Sequence, residues 1–275
     1  MKGKIIKNIS DDYTVETDGE KYICKARGKF RNQKITPLVG DTVNINETSH
    51  SIIEIYPRKN SLIRPGIANI DAAIIVTSVK EPKLDTYLLD KTLTIISYHN
   101  IKPIIYFSKI DLLNNIEYKE IKKIINYYQK IGYDTTTNYL ELLKLIENKT
   151  VVFTGQSGAG KSTLLNKINP KLNLKTDNIS KALGRGKHTT RHTELYKVNK
   201  TYIADTPGFS KIDFIDMTNI DIRDNMKEMF NNLNDCKYKD CMHTSEEECK
   251  IIELVKNKKI LQSRYDNYLK FINRW

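Results

Sequence analysis

Short stretches of alternating apolar and polar residues fill the first sixty positions of the chain. KIIKNI at 4–9, YTVET at 13–17, KYICKA at 21–26, DTVNIN at 41–46 and SIIEI at 51–55 alternate or carry β-branched residues, which predicts five short strands. Asp18-Gly19 falls between two of them and reads as a hairpin turn, because glycine tolerates the positive φ a tight turn needs. Strands this short and this closely spaced predict a small barrel of the oligonucleotide-binding (OB) kind. From Ile70 the texture changes. DAAIIVTSV and KPIIYFS are near-continuous apolar runs, as strands covered on both faces require. Helical spacing fills the gaps at 85–98 and near 117–131, where Ile121, Ile124, Ile125 and Tyr128 share a face. With TVVFT at 150–154 and the helical KSTLLNKI after it, the alternation predicts a parallel-sheet α/β domain. The Pro57 to Gly66 stretch marks a boundary, giving a multidomain chain with a barrel at 1–65, an α/β domain at 66–215 and a helical segment at 216–275.

Composition adds several constraints. The start, MKGKIIKNISDDY, lacks the apolar core of a signal peptide, and no run reaches membrane-spanning length, so a cytoplasmic chain with no membrane partner is expected. The net charge of +12 divides as +4 over 1–65, +8 over 66–215 and zero over 216–275. A basic surface favours nucleic acid. Yet 36 of the 45 basic residues are lysine in a chain rich in Ile, Asn and Tyr, a bias that genome composition also produces, so charge alone does not decide. KARGKFRNQK carries Lys25, Arg27, Lys29, Arg31 and Lys34 with Phe30 and no acid; it reads as a single-strand nucleic-acid surface or as a solvated loop. Cys24 stands apart and is expected in the barrel core. Cys236, Cys241 and Cys249 fall within 14 residues, a cluster that in a reducing compartment reads as metal ligation.

The densest chemistry is Gly155-Gln156-Ser157-Gly158-Ala159-Gly160-Lys161-Ser162, which satisfies G-x-x-x-x-G-K-[ST] between an apolar strand and a helix. Its glycines let backbone N–H groups curl toward phosphate oxygens. Lys161 can reach the β- and γ-phosphates, Ser162 can coordinate Mg²⁺, and Thr163 follows in the first helical turn, whose dipole favours an anion. Ser108-Lys109-Ile110-Asp111 closes the strand KPIIYFS and reads as a guanine-reading loop. The Asp111 carboxylate would accept from guanine N1–H and the amino group, whereas adenine would leave it unpaired. Lys109 would lie along the ring. Ser108 occupies a position where Asn is usual, and its shorter side chain is expected to weaken contacts to the base and to the phosphate loop.

Asp205-Thr206-Pro207-Gly208 ends the strand KTYIAD; Asp205 would reach the metal through water and the Gly208 amide would sense the γ-phosphate. Upstream, GRGKHTTRHTEL offers Thr189 or Thr190 to close over Mg²⁺, with His188 and His192 as candidates to position water or touch RNA phosphate. These elements run base reader, phosphate loop, threonine switch, second sensor. Ordinary GTPases place the base reader last, so the order is circularly permuted, which a domain with neighbouring termini permits. Phe209 follows Gly208 where many GTPases carry a water-orienting Gln, so intrinsic turnover is expected to be slow and partner-stimulated.

Cys236-x4-Cys241-x-His243-x5-Cys249 presents three thiolates and an imidazole, the donor set of one structural Zn²⁺. Together with RPGIANIDAAIIV, SKID, GQSGAGKSTLLN, GRGKHTT, DTPGF and RYDNY at 264–268, the chain resembles the RsgA family of small-ribosomal-subunit biogenesis GTPases over nearly its whole length. The resemblance implies an OB-fold barrel, a circularly permuted P-loop GTPase domain and a C-terminal helical zinc-binding domain. It also implies hydrolysis of GTP to GDP stimulated by the small subunit, rRNA contacts from barrel and zinc domain, and a late maturation role; a monomer is expected. The zinc-bearing segment follows the 205–208 sensor, so nucleotide state is expected to set its angle against rRNA. GYDTTTNYLELL is shorter than the family's corresponding stretch and lacks its Ser-Ala signature, which leaves the guanine-supporting loop unassigned near 133–139. Two other readings stay open: a P-loop ATPase or small-molecule kinase in which Asp111 is incidental, and an RNA-binding module whose nucleotide site does not turn over.

Overall fold

The structure, a computed structural model, describes residues 1–62, 66–170, 193–205 and 213–274. These fall into two compact units. The first holds the strands β1 (Lys2–Ile9), β2 (Asp12–Thr17) and β3 (Glu20–Ala26), the short helix α1 (Gly28–Asn32), then β4 (Thr42–Asn46) and β5 (Ser51–Ile55). They pair in the order β1-β2-β3-β5-β4, and β4 returns to β1 through Lys2↔Asn44, which closes the barrel. Alternation explains each strand: Tyr13, Val15 and Thr17 of β2 and Val43 and Ile45 of β4 point inward, with Cys24 and Ile52 fully buried among them. A register shift between Ile5 and Lys7 is a bulge that turns Ile5 and Ile6 both inside. Asp18 and Gly19 take positive φ, 50° and 88°, as the hairpin requires. Within KARGKFRNQK, read as a nucleic-acid surface or a solvated loop, Phe30 is not on the surface: α1 turns it into the barrel core at 4% exposure.

The pair β6 (Ser61–Leu62) and β7 (Ile67–Ala68) follows, then β8 (Ala72–Ser78), which runs into the second unit. That unit carries α2 (Thr86–Tyr98), β9 (Lys102–Ser108), α3 (Asn115–Lys130) and β10 (Asp134–Thr136), with sheet order β10-β9-β8. Every residue of β8 is buried, as its unbroken apolar run demands. Asp85 caps α2 by accepting from Leu88 N at 2.9 Å, and Asn114 and Glu117 form a capping box on α3. Leu89, Leu93, Phe107, Ile125 and Tyr128 make the core between these helices and the sheet.

Back in the first unit, α4 (Tyr139–Ile146) leads to β11 (Thr150–Thr154), and α5 (Lys161–Ile168) precedes β12 (Glu194–Val198) and β13 (Thr201–Asp205). β13 pairs parallel with β11 and antiparallel with β12, and β12 pairs with β1 at Glu194↔Lys7. The second unit finishes with α6 (Asn219–Asp224), α7 (Lys227–Asn231), α8 (Lys250–Lys256) and α9 (Gln262–Ile272). Met226, Met229, Ile251, Tyr268 and Phe271 form their core, which includes Ile95 of α2.

Candidate nucleotide site and metal knuckle

The phosphate loop leaves β11 at Gly155 and enters α5 at Lys161. Gly155 has φ +131°, and a Cβ there would sit 2.0 Å from the carbonyl oxygen of Val76, so only glycine fits. Gly158 and Gly160 take φ of 77° and 90°, conformations that turn successive amides in a loop toward one point. Ala159 is buried, Ser157 and Thr163 are exposed, and Ser162 is buried at the head of α5. Burial pushes the Lys161 ammonium down to about 8, a strain that phosphate charge would relieve.

The candidate base-reading segment 108–111 lies against this loop. Ser108 ends β9, and its Oγ donates to the Ala159 carbonyl oxygen at 2.6 Å. The expected weakening toward the phosphate loop is therefore not what the geometry shows: the shorter side chain still spans the gap. Lys109 adopts φ 61°, and its Nζ donates to the carbonyl of Glu81 in the β8–α2 loop. Ile110 to Leu112 form a 3-10 turn that leaves Asp111 exposed. Burial, then the nearby Asp111 carboxylate, raises the Tyr106 phenol.

Strand register describes part of the stretch near 133–139 that the sequence left unassigned. Thr136 of β10 is paired with Tyr106 of β9, so the chain leaves β10 beside the strand end that carries Ser108. Thr136 Oγ1 accepts from Asn138 N at 2.9 Å, which shapes a turn at 136–138. No motif marks that turn within 133–139; the parallel pairing sets it beside the end of β9. In the first unit, Val152↔Ala204 pairing brings the backbone of Asp205 alongside the end of β11, where the phosphate loop begins. His188, Thr189, Thr190, His192, Gly208 and Phe209 lie outside the described residues.

Cys236, Cys241, His243 and Cys249 converge, with their donor atoms all within 4.8 Å of one another. His243 Nδ1 is 3.6 Å from Cys236 Sγ and 3.4 Å from Cys249 Sγ. A tetrahedral zinc with Zn–S of about 2.3 Å and Zn–N of about 2.0 Å requires an N···S edge of about 3.5 Å. The cluster fits. His243 Nε2 lies 3.2 Å from the Met229 carbonyl oxygen, a contact that fixes the tautomer with Nδ1 as the metal-facing nitrogen. Burial raises the Cys241 thiol to about 12 and raises Cys249, while burial lowers His243, so a divalent cation is what would make thiolates favourable here.

The sequence also matches known families. The RsgA GTPase model matches residues 55–215, and the RsgA N-terminal domain model matches residues 2–52. A small ribosomal subunit biogenesis GTPase RsgA of Streptococcus pyogenes serotype M3 is 45% identical, covering 99% of this chain and 94% of the relative. The protein of that description from Enterococcus faecalis is 44% identical over 99% of this chain and 94% of its own. Among solved structures, YloQ, a circularly permuted GTPase, matches with TM-score 0.83 and 34% identity, covering 99% of this chain and 94% of that one. YjeQ from Thermotoga maritima matches with TM-score 0.83 and 32% identity over 99% and 97%. A closed barrel, a permuted order of nucleotide loops and a Cys3His knuckle thus coincide with full-length similarity, and the chain belongs to the RsgA GTPase family.

Proposed function

We propose that the chain is a GTPase of the cytoplasm that binds the small ribosomal subunit and assists its late maturation, hydrolysing GTP to GDP and phosphate when the subunit is present. The observation that carries this reading is the Ser108–Ala159 hydrogen bond, which closes a guanine-type reader onto a phosphate loop. Asp111 pairs with guanine N1–H and the amino group, Lys109 flanks the ring, and the 136–138 turn supports its other edge. The amides of 155–160 and the Lys161 ammonium hold the β- and γ-phosphates. Water attacks the γ-phosphorus as the bond to the β–γ bridging oxygen breaks; the phosphoryl oxygens take charge, and the water proton passes to phosphate or solvent. Ser162 and Asp205 are the residues that would hold Mg²⁺, which neutralises phosphate charge when bound with GTP.

The Cys3His knuckle holds one structural zinc, and the barrel, α/β and helical regions at 1–65, 66–215 and 216–275 act as three domains. The basic barrel and the zinc-bearing segment meet rRNA. No described helix is long and apolar enough to cross a membrane. The test is GTP hydrolysis by purified protein with and without small subunits, with ATP as competitor. Stimulation by about 10³-fold on adding subunits, with GTP preferred, supports the reading. Equal use of ATP, or no turnover beside the subunit, sinks it.

A further inference from the structure

The RYDNY stretch gave no chemistry in sequence, yet α9 places it between two functional elements. Arg264 is fully buried; its Nη1 donates to Asp90 Oδ1 of α2 at 2.6 Å and its Nε to Glu228 Oε1 at 2.8 Å. One turn on, Asn267 Nδ2 donates to Asp90 Oδ2 at 2.7 Å, and Tyr128 OH reaches Asp90 Oδ1 at 2.6 Å. Both oxygens of a buried carboxylate are thus held, and removing a partner would leave charge uncompensated. The neighbouring positions of α9 point elsewhere. Tyr265 OH donates to the carbonyl of His243 at 2.8 Å and Tyr268 OH to the carbonyl of Met242 at 2.6 Å. Each pair is three apart and so shares a face: 264 and 267 grip α2, while 265 and 268 grip the knuckle backbone. Helix α2 adjoins the start of the phosphate loop: Asp85, Leu88, Leu89 and Thr92 line a small cavity together with Gly155 and Gln156. Asp90 lies among these residues in sequence.

We propose that α9 is a strut through which Arg264 and Asn267 position α2 and the opening of the phosphate loop, so that metal retention at the knuckle and guanine-nucleotide binding are linked. The inference rests on the reading of 155–162 as the nucleotide site. Arg264 and Asn267 touch no nucleotide; they are positioning residues. Linkage is reciprocal: if nucleotide tightens the knuckle, metal tightens nucleotide by the same factor. The path is internal to the second unit and separate from the chain connection behind the 205–208 sensor.

The experiment follows zinc transfer from the full-length, zinc-loaded protein to a chromophoric chelator, with and without saturating GDP. In the wild type, saturating GDP should tighten zinc retention against the chelator at equilibrium by about fivefold or more. Asn267→Ala and Arg264→Met should abolish that difference while each keeps one zinc per chain. Tyr127→Phe is the control: its hydroxyl bonds Glu228 at 2.6 Å in the same buried cluster but contacts neither α2 nor the knuckle through that bond, so it should lower stability and leave the linkage intact. Should Arg264→Met not fold, Asn267→Ala decides alone. Wild-type protein whose zinc retention ignores GDP, or an Asn267→Ala protein with unaltered linkage, overturns the strut. Failure of the underlying site reading looks different: Lys161→Ala would then bind GDP as tightly as wild type.

Discussion

Ser108 gives its one hydroxyl proton to Ala159 O at 2.6 Å. Ser108→Ala should leave that carbonyl without its donor and loosen the base reader, weakening GDP by about tenfold, a loss of roughly 1–1.5 kcal/mol. A fluorescence titration with unchanged affinity would show that the bond does not hold the two loops together. Lys161 supplies a pH test. With its ammonium lowered to about 8 by burial, the group is charged below that value and neutral above it. Nucleotide affinity should fall with rising pH above about 8, by up to tenfold per unit, and Lys161→Ala should flatten the profile. Stability of the ligand-free protein runs the other way. Between 8 and the ordinary lysine value of 10.5 the unfolded chain binds more protons, so this group makes the fold more stable as pH rises across that window. Loss of binding there is accordingly not loss of fold through this residue.

At the scale of elements, two glycines with positive φ separate sterics from conformation. Gly155→Ala combines φ +131° with a Cβ at 2.0 Å from Val76 O, so it should abolish nucleotide binding and lower the melting temperature by several degrees. Gly19→Ala meets nothing within 4 Å at φ +88° and should cost only about 1 kcal/mol, with binding intact. Equal damage from both would contradict the close approach of loop and strand. The knuckle depends on Glu246, whose carboxylate accepts from the amides of Met242 at 2.7 Å, Thr244 at 2.6 Å and Ser245 at 3.0 Å. Glu246→Ala should speed zinc loss to a chelator several-fold. Most elements were legible because period decides them: β1 to β5 alternate, β8 is continuously apolar, and α2 and α3 carry capped helical stripes. β10 and β12 were not, since three polar residues at 134–136 and a short mixed run at 194–198 gain their strand geometry from neighbours. The turn at 136–138, proposed above as the base support, could not be delimited in sequence because β10 was not recognised. Phe30 misled because an aromatic in a basic run looks alike whether it faces solvent or core.

Over the whole molecule, charge and partner belong together. The net +12 resides in residues 1–215, and the last sixty residues are neutral. If the basic portion meets rRNA phosphates, subunit affinity should fall by about tenfold or more between about 50 and 200 mM monovalent salt, because bound counterions are released on association. A salt-independent affinity, measured by co-sedimentation, would place the contacts on ribosomal protein instead. The double use of β1 has a consequence for how the chain is made. Lys2 to Lys4 close the barrel against β4, but Lys7 pairs with Glu194, with their side chains 2.9 Å apart. At translation speeds of about 5–20 residues per second, the barrel is complete roughly 7–30 s before residue 194 is synthesised. Through that interval the second half of β1 is an open strand edge on a nascent polypeptide. A lysine there discourages edge-to-edge aggregation while the edge is bare, and the same ammonium then becomes half of the ion pair that covers it.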